Sequence, residues 1–272
     1  MSDMEKVKKA SGKTSVSERI SRFDIGAALA KWWGSEPAAA KAAFFSALII
    51  GFFSHLFIYS SRYYGNHDPG MIVHLAPMVR TGRWLNTIIS SASYGYVMPM
   101  TAGIFVALFL AVAAFYVCKL FGINKKLNAF LIGALLTTYP SISATNLYLY
   151  DTPNYHFAVM LAVFAVYIAV NSRFGFLAGV PLLTCVLAIY QPMFNVAVTL
   201  CLFVLIMDLL AKNFKRSLIW GQAWRFLVMG TLATLFYTIS LPISFPSGYT
   251  CDDDVRLCPI AGLYNRHIRE AL

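Results

Sequence analysis

The chain has 272 residues, 58% hydrophobic and 12% charged, with a formal net charge of +10 and a mean hydropathy of +0.63. A soluble domain carries about 25% charged residues, so this composition excludes a soluble globular enzyme and indicates a polytopic membrane protein. No nucleic-acid-binding motif accompanies the positive charge, so nucleic acid is not an expected partner; the Lys and Arg instead orient the chain in the bilayer.

Residues 1–41 form a polar, basic tail that holds Lys6, Lys8, Lys9, Lys13, Arg19, Arg22, Lys31 and Lys41. Within it, 19–33 suits a short interfacial helix with Trp32 and Trp33 at the headgroups. The apolar run that follows is too long for a signal-peptide core and ends in no small-residue cleavage pattern, so it reads as an uncleaved anchor. About 20 mostly apolar residues cross a bilayer. On that measure the spans are 42–61, 98–121, 127–150, 155–172, 174–191, 193–211 and 226–243, the third interrupted by Pro140.

Charge arbitrates the third run. With seven crossings and the N-terminus inside, Lys119, Lys125, Lys126, Arg173, Lys212, Lys215, Arg216 and Arg225 join the tail in the cytoplasm, and Asp68, Asp151 and the acidic 251–254 segment lie outside. A re-entrant third run would turn the later basic loops outward, against the positive-inside tendency. The expected organisation is therefore an all-α polytopic transmembrane bundle over 42–243, between the tail and a periplasmic segment at 244–272. The first outside loop, 62–97, carries Met71, Ile72, Leu75, Met78, Val79, Leu85, Ile88 and Ile89 at helical spacing. Arg80, Arg83 and Thr87 lie along the other side. This predicts an amphipathic juxtamembrane helix, broken near Pro77 and Gly82 and anchored on the outer surface by Trp84.

Few residues in so apolar a chain can carry chemistry. Asp68, in "YYGNHDPG" at 63–70, precedes a Pro as a helix N-cap would. Beside His67 and upstream of Arg80 and Arg83, it also has the surroundings of a general base close to a bound phosphate. Asp151, in "LYLYDTPNYHF", is the only carboxylate between Asp68 and Asp208, and faces the same side. It reads either as the cap of the next span or as a second outward carboxylate that binds substrate. In "LAIYQPMFN" at 187–195, Tyr190, Gln191 and Asn195 suit sugar hydroxyls, or simply build a hairpin turn. His55 and His74 read as packing or interfacial residues, and Cys118, Cys185 and Cys201 as small buried hydrophobes. Cys251 and Cys258 enclose "DDDVRL" outside the membrane, where a disulfide would persist; free thiols are the alternative. No metal-ligand spacing, G-x-S-x-G or Gly-rich phosphate loop is present, so no metal or other cofactor is expected. A sugar donor would then arrive by another route, and a lipid-linked donor within the bilayer does so.

Taken together, the basic N-terminus, the first span, "GNHDPG" with a downstream "GRWL", "LYLYDTPNYHFAVMLAVFAVYIAV" and "LAIYQPMFNVAVTLCLFVLIMDLL" resemble the serotype-converting O-antigen glucosyltransferases of the Gtr type, which bacteriophages often carry. The resemblance covers roughly residues 42–211. It implies a GT-C-like enzyme of the bacterial inner membrane, moving glucose from a polyprenyl-phosphate carrier to O-antigen on the periplasmic face. It also implies that Asp68, in the place of the acidic base of the first outside loop, is catalytic. His67, Arg80, Arg83, Asp151, Tyr190 and Gln191 are the expected substrate-binding residues. Family members tend to continue with further spans, so a short or truncated form is expected. The competing readings are a non-enzymatic transporter or flippase of a lipid-linked sugar, and an inactive relative. A transporter wants polar groups through the bilayer depth, and Asp208, near the inner end, is the only carboxylate within an apolar run.

Overall fold

The computed structural model describes residues 24–61, 82–91, 98–211 and 216–244. Among them every regular element is a helix. The chain divides into a unit up to Pro37 and a second unit from Ala38 onward, so the bundle begins a few residues before the apolar run as read from sequence. In the first unit, α1 (Ile25–Ser35) starts at Asp24, whose carboxylate accepts from the amide of Ala27 at 3.1 Å. It overlaps the stretch 19–33 expected to be an interfacial helix, and it carries Trp32 and Trp33.

The second unit contains α2 (Ala38–Ser54), α3 (Leu56–Ser60), α4 (Trp84–Ser91), α5 (Pro99–Leu120), α6 (Lys126–Thr138), α7 (Pro140–Asn146), α8 (Thr152–Asn171), α9 (Gly175–Ile189), α10 (Phe194–Leu210) and α11 (Arg216–Ser244). By length and composition four helices are able to span a membrane, and six if bent pairs count as single spans. With this all-helical build, the molecule is a multi-pass membrane bundle. Several boundaries differ from the apolar runs. The first run breaks at His55, whose ring bonds the carbonyl of Thr137 at 2.9 Å. The third bends by 43° where Pro140 opens α7, because a proline cannot donate to the preceding turn. α9 has only 15 residues, with Pro181 inside it, and is shorter than the expected 174–191. α8 begins at Thr152, with Pro153 in its first turn, a position that proline favours. α11 starts ten residues before the expected 226.

Small residues let these helices approach closely, as is common in membrane bundles. Ala39, Ala40, Ala43 and Ala47 of α2 and Ala107, Ala111 and Ala114 of α5 are buried, while Phe53, Phe57, Phe105 and Leu135 face outward. α2 and α6 run side by side in the same direction, and Ser46 donates to the carbonyl of Phe130 at 2.6 Å. At their closest approach a side chain on Gly133 would meet the carbonyl of Ala43. Gly133→Val should therefore part the two helices and lower stability by about 1–3 kcal/mol. Thermal melting in detergent would fall, with less protein reaching the membrane; a wild-type melting curve would contradict this packing.

The bundle has two distinct ends. At one, Lys119 lies over the ring of Tyr167, 5.4 Å from its centroid, and Arg225 donates to the carbonyls of Ala169 and Ser172. The ends of α5 and α8 and the early part of α11 thus meet. At the other, α4, the start of α8, the junction of α9 and α10 and the late part of α11 are joined by the side-chain hydrogen bonds described below. The bent α6–α7 run connects the two ends.

A polar cluster at one end of the bundle

Asp151 is buried at the start of α8 and is its N-cap residue, yet its side chain makes no capping hydrogen bond. Its two oxygens accept instead from side chains. Oδ1 accepts from Asn86 Nδ2 at 3.0 Å, and Oδ2 from the Tyr155 hydroxyl at 3.1 Å. The capping reading of Asp151 thus gives way to a binding contact with α4, across 65 residues of sequence. The network continues through Asn154, whose amide donates to Asn86 Oδ1 and to Ser90 Oγ, both at 2.8 Å. Asn86, Ser90 and Asn154 are all buried.

The turn that carries Asp151 is fixed from below. Thr152 Oγ donates toward the carbonyl of Thr145 at 3.1 Å and toward Asn146 Oδ1 at 3.0 Å. His156, one turn on, pairs Nδ1 with the carbonyl of Thr152 at 2.7 Å. Since a carbonyl only accepts, Nδ1 carries the proton.

Arg83 sits beside this network. Its guanidinium donates to the Tyr155 hydroxyl at 3.4 Å and lies 4.5 Å from the centroid of the Tyr190 ring. Tyr155 and Tyr190 are themselves stacked, with centroids 4.1 Å apart and planes at 19°. The cation is therefore held on an aromatic face, a geometry that suits a planar guanidinium better than an ammonium. The Tyr155 hydroxyl joins the cation to the carboxylate. Arg83 Nε is buried and has no hydrogen-bond partner among the described residues.

The last contributor is α11. Tyr237 accepts from Gln191 Nε2 at 2.8 Å and donates to the carbonyl of Gly82 at 3.2 Å. Trp84 donates its indole N–H to Ser240 at 3.0 Å. Gly82 has φ +79°, which glycine adopts freely, and a side chain there would meet the Tyr237 hydroxyl and Leu241. The chain turns at this glycine, and α4 follows. Of the expected amphipathic helix, only this last part is described. Its Asn86, Thr87 and Ser90 are buried in the bundle, Leu85 and Ile89 pack partly buried against the core, and Ile88 is exposed. Trp84 is bonded to α11, a different task from surface anchoring.

The structure thus brings together Arg83, Asp151, Tyr190 and Gln191 of the expected site. His67, Asp68, Arg80, His74, Cys251 and Cys258 lie outside the described residues. Asn195 is exposed, and Asp208 lies near the far end of α10. Asn86, Ser90, Asn154, Tyr155 and Tyr237 were not singled out from sequence. One signal was available: Asp151 and Tyr155 are four residues apart, so they share a helix face.

The fold is a multi-pass helical membrane bundle with a buried carboxylate, a stacked guanidinium and a set of amides gathered at one end. The family model described as glucosyl transferase GtrII matches residues 56–250, and the chain belongs to that family of glucosyltransferases. No curated protein and no solved structure matches the chain.

Proposed function

We propose that the protein is an inverting, GT-C-like hexosyltransferase of the bacterial inner membrane. It takes glucose from a polyprenyl-phosphate carrier and places it on O-antigen at the periplasmic face, with the N-terminus in the cytoplasm. The observation that carries this reading is the Arg83 guanidinium, stacked on Tyr190 and bound to Tyr155 at the same end of the bundle as Asp151. A guanidinium fixed in this way matches a phosphate leaving group, and the carboxylate and amides match sugar hydroxyls. Asp68 acts as general base. It takes the proton of the acceptor hydroxyl while the oxygen attacks the anomeric carbon, and the bond to the carrier breaks. The electron pair leaves on the polyprenyl phosphate, an already stable anion that Arg83 and Arg80 hold. His67 lies beside the base, and Tyr190 and Gln191 border the sugar.

Gathering of charged and amide groups at one end supports a site on one face more than a transport path through the bilayer. Expression in a strain of defined O-antigen, followed by mass analysis of the polysaccharide, tests the whole reading. Hexose addition is expected, and its absence from a well-inserted protein would overturn it. Asp68→Asn keeps a competent N-cap and removes the base. It should cut transfer by about 10³-fold, within the range of general-base catalysis, at unchanged accumulation. Wild-type glycosylation by this variant would remove Asp68 from the chemistry.

A further inference from the structure

A second set of buried polar groups gathers around Thr152, the residue after Asp151. Thr152 is held twice: its hydroxyl donates toward Asn146 Oδ1 at 3.0 Å, and its carbonyl accepts from His156 Nδ1 at 2.7 Å. Each of those two side chains has a second polar atom. Neither Asn146 Nδ2 nor His156 Nε2 has a hydrogen-bond partner among the described residues, and the Tyr59 hydroxyl of α3 likewise lacks one. That hydroxyl faces Asn146 closely enough for the amide to act on it, though not in hydrogen-bond geometry. His55 joins the set: its ring centroid is 6.3 Å from that of Tyr59, and it is an electrostatic neighbour of His156. Tyr59 fits against α5 because a glycine stands there; a side chain on Gly103 would collide with the Tyr59 ring. Tyr59, Asn146 and His156 are all buried.

Polar atoms left unmet inside an apolar bundle are costly, since each forfeits its hydration. What these three offer defines what they take. Asn146 Nδ2 donates. His156 carries its proton on Nδ1, so Nε2 accepts. The Tyr59 hydroxyl does either. A metal cation does not suit a set that aims an amide N–H at it, and an anion does not suit a lone pair. A molecule that donates and accepts through one oxygen suits all three, and such burial admits only a small one. A buried water makes about three hydrogen bonds of this kind. We propose that Tyr59, Asn146 and His156 hold an internal water, and that this water locks Thr152 and so the aim of Asp151. It accepts from Asn146 Nδ2 and from the Tyr59 hydroxyl, and donates to His156 Nε2. Asn146 and His156 are then fixed at both ends, and with them the turn from which Asp151 reaches Asn86 and Tyr155. Tyr59 and His156 act on the carboxylate through that turn, as positioning residues.

Radiolytic footprinting of the full chain in proteoliposomes tests this, with heavy-oxygen water as the probe. Hydroxyl radicals formed from an internal water mark the side chains around it, even where bulk solvent does not reach. Corrected for intrinsic reactivity, Tyr59 and His156 should take up heavy oxygen at least about tenfold more than Phe115, which is equally buried. Marks no stronger than on Phe115 would overturn the proposal. Tyr59→Phe removes one oxygen and keeps the ring against Gly103. It should reduce the mark on His156 about tenfold and lower the melting temperature, because Asn146 and His156 lose the water they share. If the hydroxyl binds nothing, the same change removes a buried cost and raises the melting temperature, a result that would also overturn the site. Hydrogen exchange across 146–152 reads the lock itself: it should speed up about tenfold in Tyr59→Phe, and unchanged exchange would remove the locking role. The effect on glucose transfer rests on the function proposed above. There kcat should fall about 10–10²-fold with little change in KM, as for a misplaced catalytic group; a rise in KM alone would count against positioning. A wild type that shows the marks and the slow exchange but no transfer would remove the glucosyltransferase reading and leave the water site standing.

Discussion

Arg83→Lys is expected to lower glucose transfer by about 10²-fold while the protein accumulates as wild type. The side chain is packed flat against Tyr190 and reaches the Tyr155 hydroxyl from one nitrogen. Lysine keeps the charge but loses the plane and the fork of donors, so it neither stacks nor presents two N–H groups to a phosphate. Loss of one fixed donor to a developing oxyanion typically costs about 10²–10³ in rate. The loss should appear in kcat, because charge on the leaving phosphate grows as the bond breaks, and less in KM. Arg83→Met should be worse than Arg83→Lys. Equal activity of the lysine variant would mean that Arg83 is structural. A rise in KM alone would place it in ground-state binding.

The bundle was legible because apolar runs of membrane length leave little choice: chains without water must satisfy their backbone within each helix. Pro140 announced its break locally, because a proline cannot donate to the preceding turn. His55 did not, since its break depends on a bond to Thr137, 82 residues away. The 62–97 loop shows where pattern misleads. A helix lying along the outer membrane surface turns its hydrophobic side to the membrane and its polar side away from it. In the described part, Asn86 and Ser90 point into the bundle because Asp151 and Asn154 await them there. A polar face can be the inner face when its partner is also polar, and periodicity carries no information on that. Asp151 illustrates the same limit: "DTP" is a sound capping signature, yet the carboxylate accepts from the distant Asn86 and from Tyr155 instead.

Asp151→Asn and Asp151→Ala should separate that carboxylate's two tasks. Asparagine is nearly isosteric and leaves one oxygen to accept from Asn86. Its other end is an amide that donates, so it presents a proton to the Tyr155 hydroxyl where the carboxylate presented a lone pair. Tyr155 already accepts from Arg83. It would then receive two donors, and its own proton would lose its acceptor. The hydroxyl must turn or move, and Arg83, which rests on it and on the stacked Tyr190, moves too. Transfer should fall about 10²-fold, with stability reduced by no more than about 1–3 kcal/mol, the cost of one buried group left unpaired. Alanine leaves both Asn86 and Tyr155 without their acceptor at a buried position. Two such penalties, together with the space left behind, should lower the melting temperature and the amount of protein in the membrane as well as activity. Tyr155→Phe completes the series. It should keep the stacking on Tyr190 and the fold, yet reproduce much of the Asp151→Asn loss, because it cuts the hydroxyl link between carboxylate and guanidinium. If Tyr155→Phe is fully active while Asp151→Asn is not, Asp151 acts on the sugar directly and the Tyr155 bridge is incidental.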